Sequence, residues 1–65
     1  MEIRVNGENR SFDGCSLLEL ISSMDLNQYR VAVELNGTIV PRADFGKTDL
    51  KNGDSLEIVH FVGGG

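Results

Sequence analysis

Three places in the chain carry groups able to react: the thiol of Cys15, the imidazole of His60, and the run Gly63-Gly64-Gly65 with the carboxylate that ends it. A cysteine acts through its thiolate, which a helix N-terminus favours, and Cys15 stands just ahead of a predicted helix. It is also the only cysteine, so it has no disulfide partner, no cysteine-rich metal cage and no thiol to resolve an oxidised form. A small filler residue in a reducing compartment is its ordinary reading. His60 has no serine, cysteine or carboxylate motif beside it, which leaves it a rim residue without a catalytic or metal role.

The glycines are a different matter. Glycine loses more backbone freedom on ordering than any other residue and has no side chain to bury, so Gly63, Gly64 and Gly65 cannot serve stability, and a flexible tail is predicted. One reading is a frayed terminus or an added linker. The other is a substrate arm: without Cβ atoms the tail is thin enough to thread a narrow channel in another protein, and three residues reach roughly 10 Å. What favours the arm is its base, because the glycines follow directly on a β-branched, alternating run, Ser55 to Val62, that reads as the last strand.

The elements that must hold this base can be read in order. Met1, Ile3 and Val5 alternate with Glu2, Arg4 and Asn6, a half-buried strand; Asn6-Gly7 signals a tight turn, and Arg10–Asp13 returns as a second strand with Phe12 toward the core. Ser16 and Glu19 form a capping-box pattern at the head of a helix carrying Leu17, Leu20, Ile21 and Met24 at helical spacing, widened by Leu18. Residues 31–35 predict a third strand, Asn36-Gly37 a hairpin turn, and residues 38–40 a fourth strand stopped by Pro41. Residues 42–50 read as a loop anchored by Ala43, Phe45 and Leu50, with a further turn at Asn52-Gly53-Asp54 before the final strand. On that strand Leu56 and Ile58 face the helix, while Glu57, Val59 and Phe61 face outward. Val59, Phe61 and Val62 beside the tail form a candidate partner-binding patch, since interface cores favour aromatic residues, although single exposed apolar residues are common on any surface.

Strand, strand, helix, strand, strand, strand is the β-grasp arrangement of ubiquitin-like proteins: an α+β domain over residues 1–62, with a mixed sheet of about five strands packed on one main helix, and a glycine tail at 63–65. Parallel pairing of the first and last strands follows from that topology; periodicity alone does not demand it. With 65 residues there is room for one domain, and 40% hydrophobic and 25% charged residues place it among ordinary globular chains. No apolar run reaches membrane-spanning length and no signal-peptide pattern opens the chain, so the cytoplasm is expected. The formal charge of −4, with six dispersed Lys and Arg residues, argues against nucleic acid and for docking on a basic protein face.

Val31-Ala-Val-Glu-Leu-Asn-Gly-Thr-Ile-Val-Pro-Arg42, then Thr48 and Leu50, then Asn52 through Gly65 resemble the thiamine-biosynthesis sulfur carrier family of ubiquitin-like proteins. The similarity covers the whole chain and is most specific over residues 33–42 and 53–65. The family's terminal Gly-Gly is matched by Gly64 and Gly65, preceded here by an extra Gly63. The resemblance implies a protein that is not itself an enzyme and binds no cofactor. An adenylating enzyme of the ubiquitin-activating type would use ATP to convert the Gly65 carboxylate to an acyl adenylate, and a cysteine-derived persulfide would replace AMP to leave a thiocarboxylate. Thiazole synthase would then take the sulfur. The molybdopterin-synthase small subunit shares fold and tail but lacks the residue 36–42 stretch. The same tail would also suit a ubiquitin-like modifier conjugated to lysines, and a non-covalent binding module would leave it idle.

Overall fold

The structure, a computed structural model, describes residues 1–62. The expectations for Gly63, Gly64 and Gly65, and the domain boundary drawn before them, lie outside the described residues. The elements are β1 (Glu2–Val5), β2 (Glu8–Ser11), α1 (Leu17–Ser23), β3 (Val31–Leu35), β4 (Thr38–Val40) and β5 (Ser55–His60), with 3-10 turns at Gln28–Arg30 and Arg42–Lys47. They form one sheet in the order β2-β1-β5-β3-β4, in which β1 and β5 run parallel and the other neighbours antiparallel. The strand leading to the tail is thus the middle strand, with neighbours on both sides.

The bounds of β2 and β5 differ from expectation by two residues. β2 starts and ends two residues before the predicted Arg10–Asp13, because the two-residue Asn6-Gly7 turn sets Val5 against Glu8 at once. Phe12 then follows the strand but still enters the core. β5 ends at His60 instead of Val62, since its partner β3 begins at Val31, opposite His60, and Gln28–Arg30 turns away as a 3-10 segment.

Alternation along the strands turns Ile3, Val5, Val31, Val33, Leu56 and Ile58 inward against Leu17, Leu20 and Ile21 of α1. The helix opens with the predicted capping box: the Ser16 hydroxyl accepts from the Glu19 N–H at 3.2 Å, and Glu19 Oε1 accepts from the Ser16 N–H at 3.1 Å. Met24, half-buried, closes the helix as its C-cap. Phe45 and Leu50 anchor the long connection as expected, whereas Ala43 is exposed: the tight Arg42–Lys47 turn aims Phe45 inward and leaves Ala43 outside. Met1 is likewise more exposed than its place in the alternation implies, because it precedes β1 at the sheet margin. Cys15 is exposed and fills no core space; its backbone carbonyl accepts from Leu50, and its side chain lies outside the packed layer.

Three asparagines fasten β5 and its neighbour β1. Asn6 and Asn36 each take a left-handed conformation (φ 52° and 50°) followed by Gly7 and Gly37 (φ 82° and 86°), the backbone a two-residue hairpin turn requires. The Asn6 N–H donates to Leu56 O at 2.9 Å as the last backbone rung between β1 and β5. Its side chain then adds another: Oδ1 accepts from Ile58 N at 2.7 Å and Nδ2 donates to Ile58 O at 3.1 Å. Asn36 Oδ1 accepts from Ser55 N at 3.0 Å, and Asn52 Oδ1 accepts from Glu2 N at 2.7 Å. Asn6→Ala removes both bonds to Ile58 and places an alanine at positive φ, so it is expected to cost about 2 kcal/mol, read from the urea midpoint. An unchanged midpoint would show that water replaces the side chain at no loss.

Candidate functional site

On β5, Leu56 and Ile58 are buried while Glu57 and Val59 stand exposed on the open face, as predicted, and Phe61, the residue after the strand, is exposed as well. Val59 and Phe61 are 56% and 55% exposed, and Val62, just past the strand, is 80% exposed. The register sets Ala32 opposite Val59, Glu34 opposite Glu57, and Ile39 on β4 opposite Glu34. Val59 therefore belongs to a wider apolar surface with Ala32 and the exposed Ile39, around a shallow hollow of about 130 Å³. Sequence reasoning passed over Ala32 and Ile39. The signal was present for Ala32, since Val33 points inward and its neighbour must point outward.

At the end of β5 the Phe61 N–H donates to the Arg30 carbonyl at 2.8 Å, so the strand-like path runs one residue beyond His60. Nearby in sequence, the Arg42 guanidinium lies over the Tyr29 ring, 5.1 Å from its centroid, tying the residue after Pro41 to the turn before β3. His60 is exposed opposite Val31, and Cys15 precedes α1, so the two reactive side chains lie on separate elements. Among the described residues no group of three or more His, Cys, Asp or Glu could hold a metal ion, and no helix is long and apolar enough to cross a membrane.

A five-stranded mixed sheet packed on one main helix, with the last strand parallel to the first at its centre, defines the ubiquitin-like β-grasp class. The profile of the ThiS family matches residues 3–65. The chain belongs to the ThiS family. It is similar to the sulfur carrier protein ThiS of Bacillus subtilis (strain 168), 34% identical over 65 residues that cover 97% of this chain and 98% of that protein. It is 39% identical over 66 residues to a thiazole synthase of Paramagnetospirillum magneticum, covering 100% of this chain and 20% of that relative. The chain thus spans a small part of the thiazole synthases it matches. The crystal structure of the thiamine biosynthesis protein ThiS from Geobacter metallireducens superposes with a TM-score of 0.82 at 39% identity, covering 100% of both chains.

Proposed function

We propose that this chain is a sulfur carrier for thiazole formation in thiamine biosynthesis, working through the carboxylate of Gly65. The observation that supports it most is β5: a central strand, fastened by Asn6, Asn36 and the β3 ladder, after which the sequence passes through Phe61 and Val62 to Gly63, Gly64 and Gly65. The body supplies a fixed base and a docking face, and the enzymes it visits supply the chemistry.

A carboxylate is a poor electrophile, because its charge repels nucleophiles and oxide is a poor leaving group. An adenylating enzyme of the ubiquitin-activating type overcomes both obstacles. A Gly65 carboxylate oxygen attacks the α-phosphorus of ATP, pyrophosphate departs, and an acyl adenylate remains. The outer sulfur of a cysteine-derived persulfide attacks the acyl carbon and AMP leaves. A thiol then reduces the resulting S–S bond, freeing the thiocarboxylate on the carrier. Thiazole synthase is the acceptor of that sulfur, a role supported by the whole-chain match to part of proteins of that name. ATP is a co-substrate of the activating enzyme and is not held by this chain. The cytoplasm, with its ATP and reducing thiols, is the compartment in this reading.

Intact mass after incubation with ATP, the activating enzyme and a persulfide donor tests the proposal. The expected result is a gain equal to the exchange of one oxygen for sulfur, absent when Gly65 is removed. An unchanged mass with an enzyme shown to be active would leave a binding module instead. The patch of Val59, Phe61 and Val62 has its own test. Phe61→Asp is expected to weaken binding to the activating enzyme by about tenfold in calorimetry, since a charge replaces an apolar anchor. Its melting temperature should barely move, because Phe61 is exposed and outside the core. Unaltered affinity would remove Phe61 from the docking surface.

A further inference from the structure

The register places Glu34 directly opposite Glu57 on the open face, with both side chains exposed. Like charges directly opposite one another destabilise a sheet. Among the described residues neither carboxylate makes an ion pair or a side-chain hydrogen bond. The next pair along the same two strands is Ala32 and Val59, and Ile39 flanks Glu34 from β4. The hollow of about 130 Å³ is lined by Ala32, Val33, Ile39 and Val59 together with Glu34 and Glu57. Val59, which lines it, also belongs to the patch proposed above for docking.

We propose that this face receives a segment of the activating enzyme that presents an aliphatic side chain to the hollow and, beside it, one arginine shared by Glu34 and Glu57. The inference rests on the reading of the chain as a sulfur carrier and adds the chemistry of its partner's surface. Arginine fits better than lysine. Directly opposed side chains have Cβ atoms roughly 5 Å apart, and a planar guanidinium has five donors in a fixed fork, enough to serve two neighbouring carboxylates at once. A single cation between two like charges offsets their mutual repulsion, so the pair favours the bound state by more than two isolated carboxylates would. The chain's formal charge of −4 acts in the same direction at longer range, speeding the encounter.

The test is the affinity of the whole chain for the activating enzyme, by calorimetry, for Glu34→Gln, Glu57→Gln, the double variant, and Glu8→Gln on the outer strand β2. Each glutamine on the open face is expected to weaken binding about tenfold, and the double variant by less than the product of the singles, because one cation serves both. Melting temperatures should hold or rise as the repulsion disappears. Glu8→Gln, which removes the same charge elsewhere, should leave affinity within about twofold. Parent-like affinity in the double variant overturns the proposal, as does an equal loss in Glu8→Gln, which would reduce the effect to net charge. Intact mass of the parent separates the two levels. A parent that gains sulfur while the double variant binds normally refutes only the arginine site; a parent that never gains sulfur refutes the carrier reading beneath it.

Discussion

A chain with one alanine appended after Gly65 is expected to yield no thiocarboxylate and to melt as the parent does. The peptide bond turns the Gly65 carboxylate into an amide, whose carbonyl oxygen bears no full negative charge to attack the α-phosphorus of ATP. The new terminal carboxylate lies one residue further along, a displacement of about 3.5 Å. Adenylation needs the reacting atoms within about 3–3.5 Å and aligned, so a shift of that size removes the productive geometry. The body has no reason to respond, since its most C-terminal core residue is Ile58. Intact mass and a thermal melt on the same sample report both halves. Undiminished product would move the reactive group away from Gly65, and a lowered melting temperature would show that the tail supports the body.

The features legible in the sequence were those whose cause is local. Ser16 and Glu19 announce the helix start because the capping box closes within one turn, and the two Asn-Gly pairs announce hairpins because their residues tolerate positive φ. The faces of β5 followed from alternation alone. What could not be read depended on register between distant segments. The Asn6 side chain reaches a residue 52 positions away, and only the parallel placement of β1 beside β5 puts it there. Glu34 and Glu57 are ordinary outward residues until pairing of β3 with β5 sets them face to face. Ala43 and Phe45 are both apolar; which one enters the core is decided by the phase of a 3-10 turn that composition does not set. The candidate site therefore needed the sheet order before its extent could be drawn, although its central residues Val59 and Phe61 were visible beforehand.

Phe45→Ala is expected to bring the body close to unfolding, and through it to silence a tail that is chemically intact. Phe45 heads the largest fully buried side chains and belongs to the core cluster that contains Leu17, Leu20 and Ile21 of α1. Truncating such a phenylalanine costs about 3–5 kcal/mol, from lost apolar burial plus the cavity left behind. At about 0.05–0.15 kcal/mol per residue, a domain of this size has a total stability of about 3–10 kcal/mol, so the loss consumes much or all of it. Denaturant titration should show a markedly lowered midpoint, with Phe45→Leu between it and the parent because leucine refills part of the cavity. Thiocarboxylate yield should then follow the folded fraction: an unfolded chain still ends in Gly65 but presents neither the open sheet face nor a fixed base for the tail. The same link predicts partial rescue, because an excess of activating enzyme binds only the folded form and draws the equilibrium toward it by mass action. The chain with the appended alanine should not be rescued in this way, since its body is already folded and its defect lies at the reacting atom. Full thiocarboxylate yield from a demonstrably unfolded Phe45→Ala chain would mean that the glycine tail is recognised as a linear peptide, and that the β-grasp body has no part in presenting it.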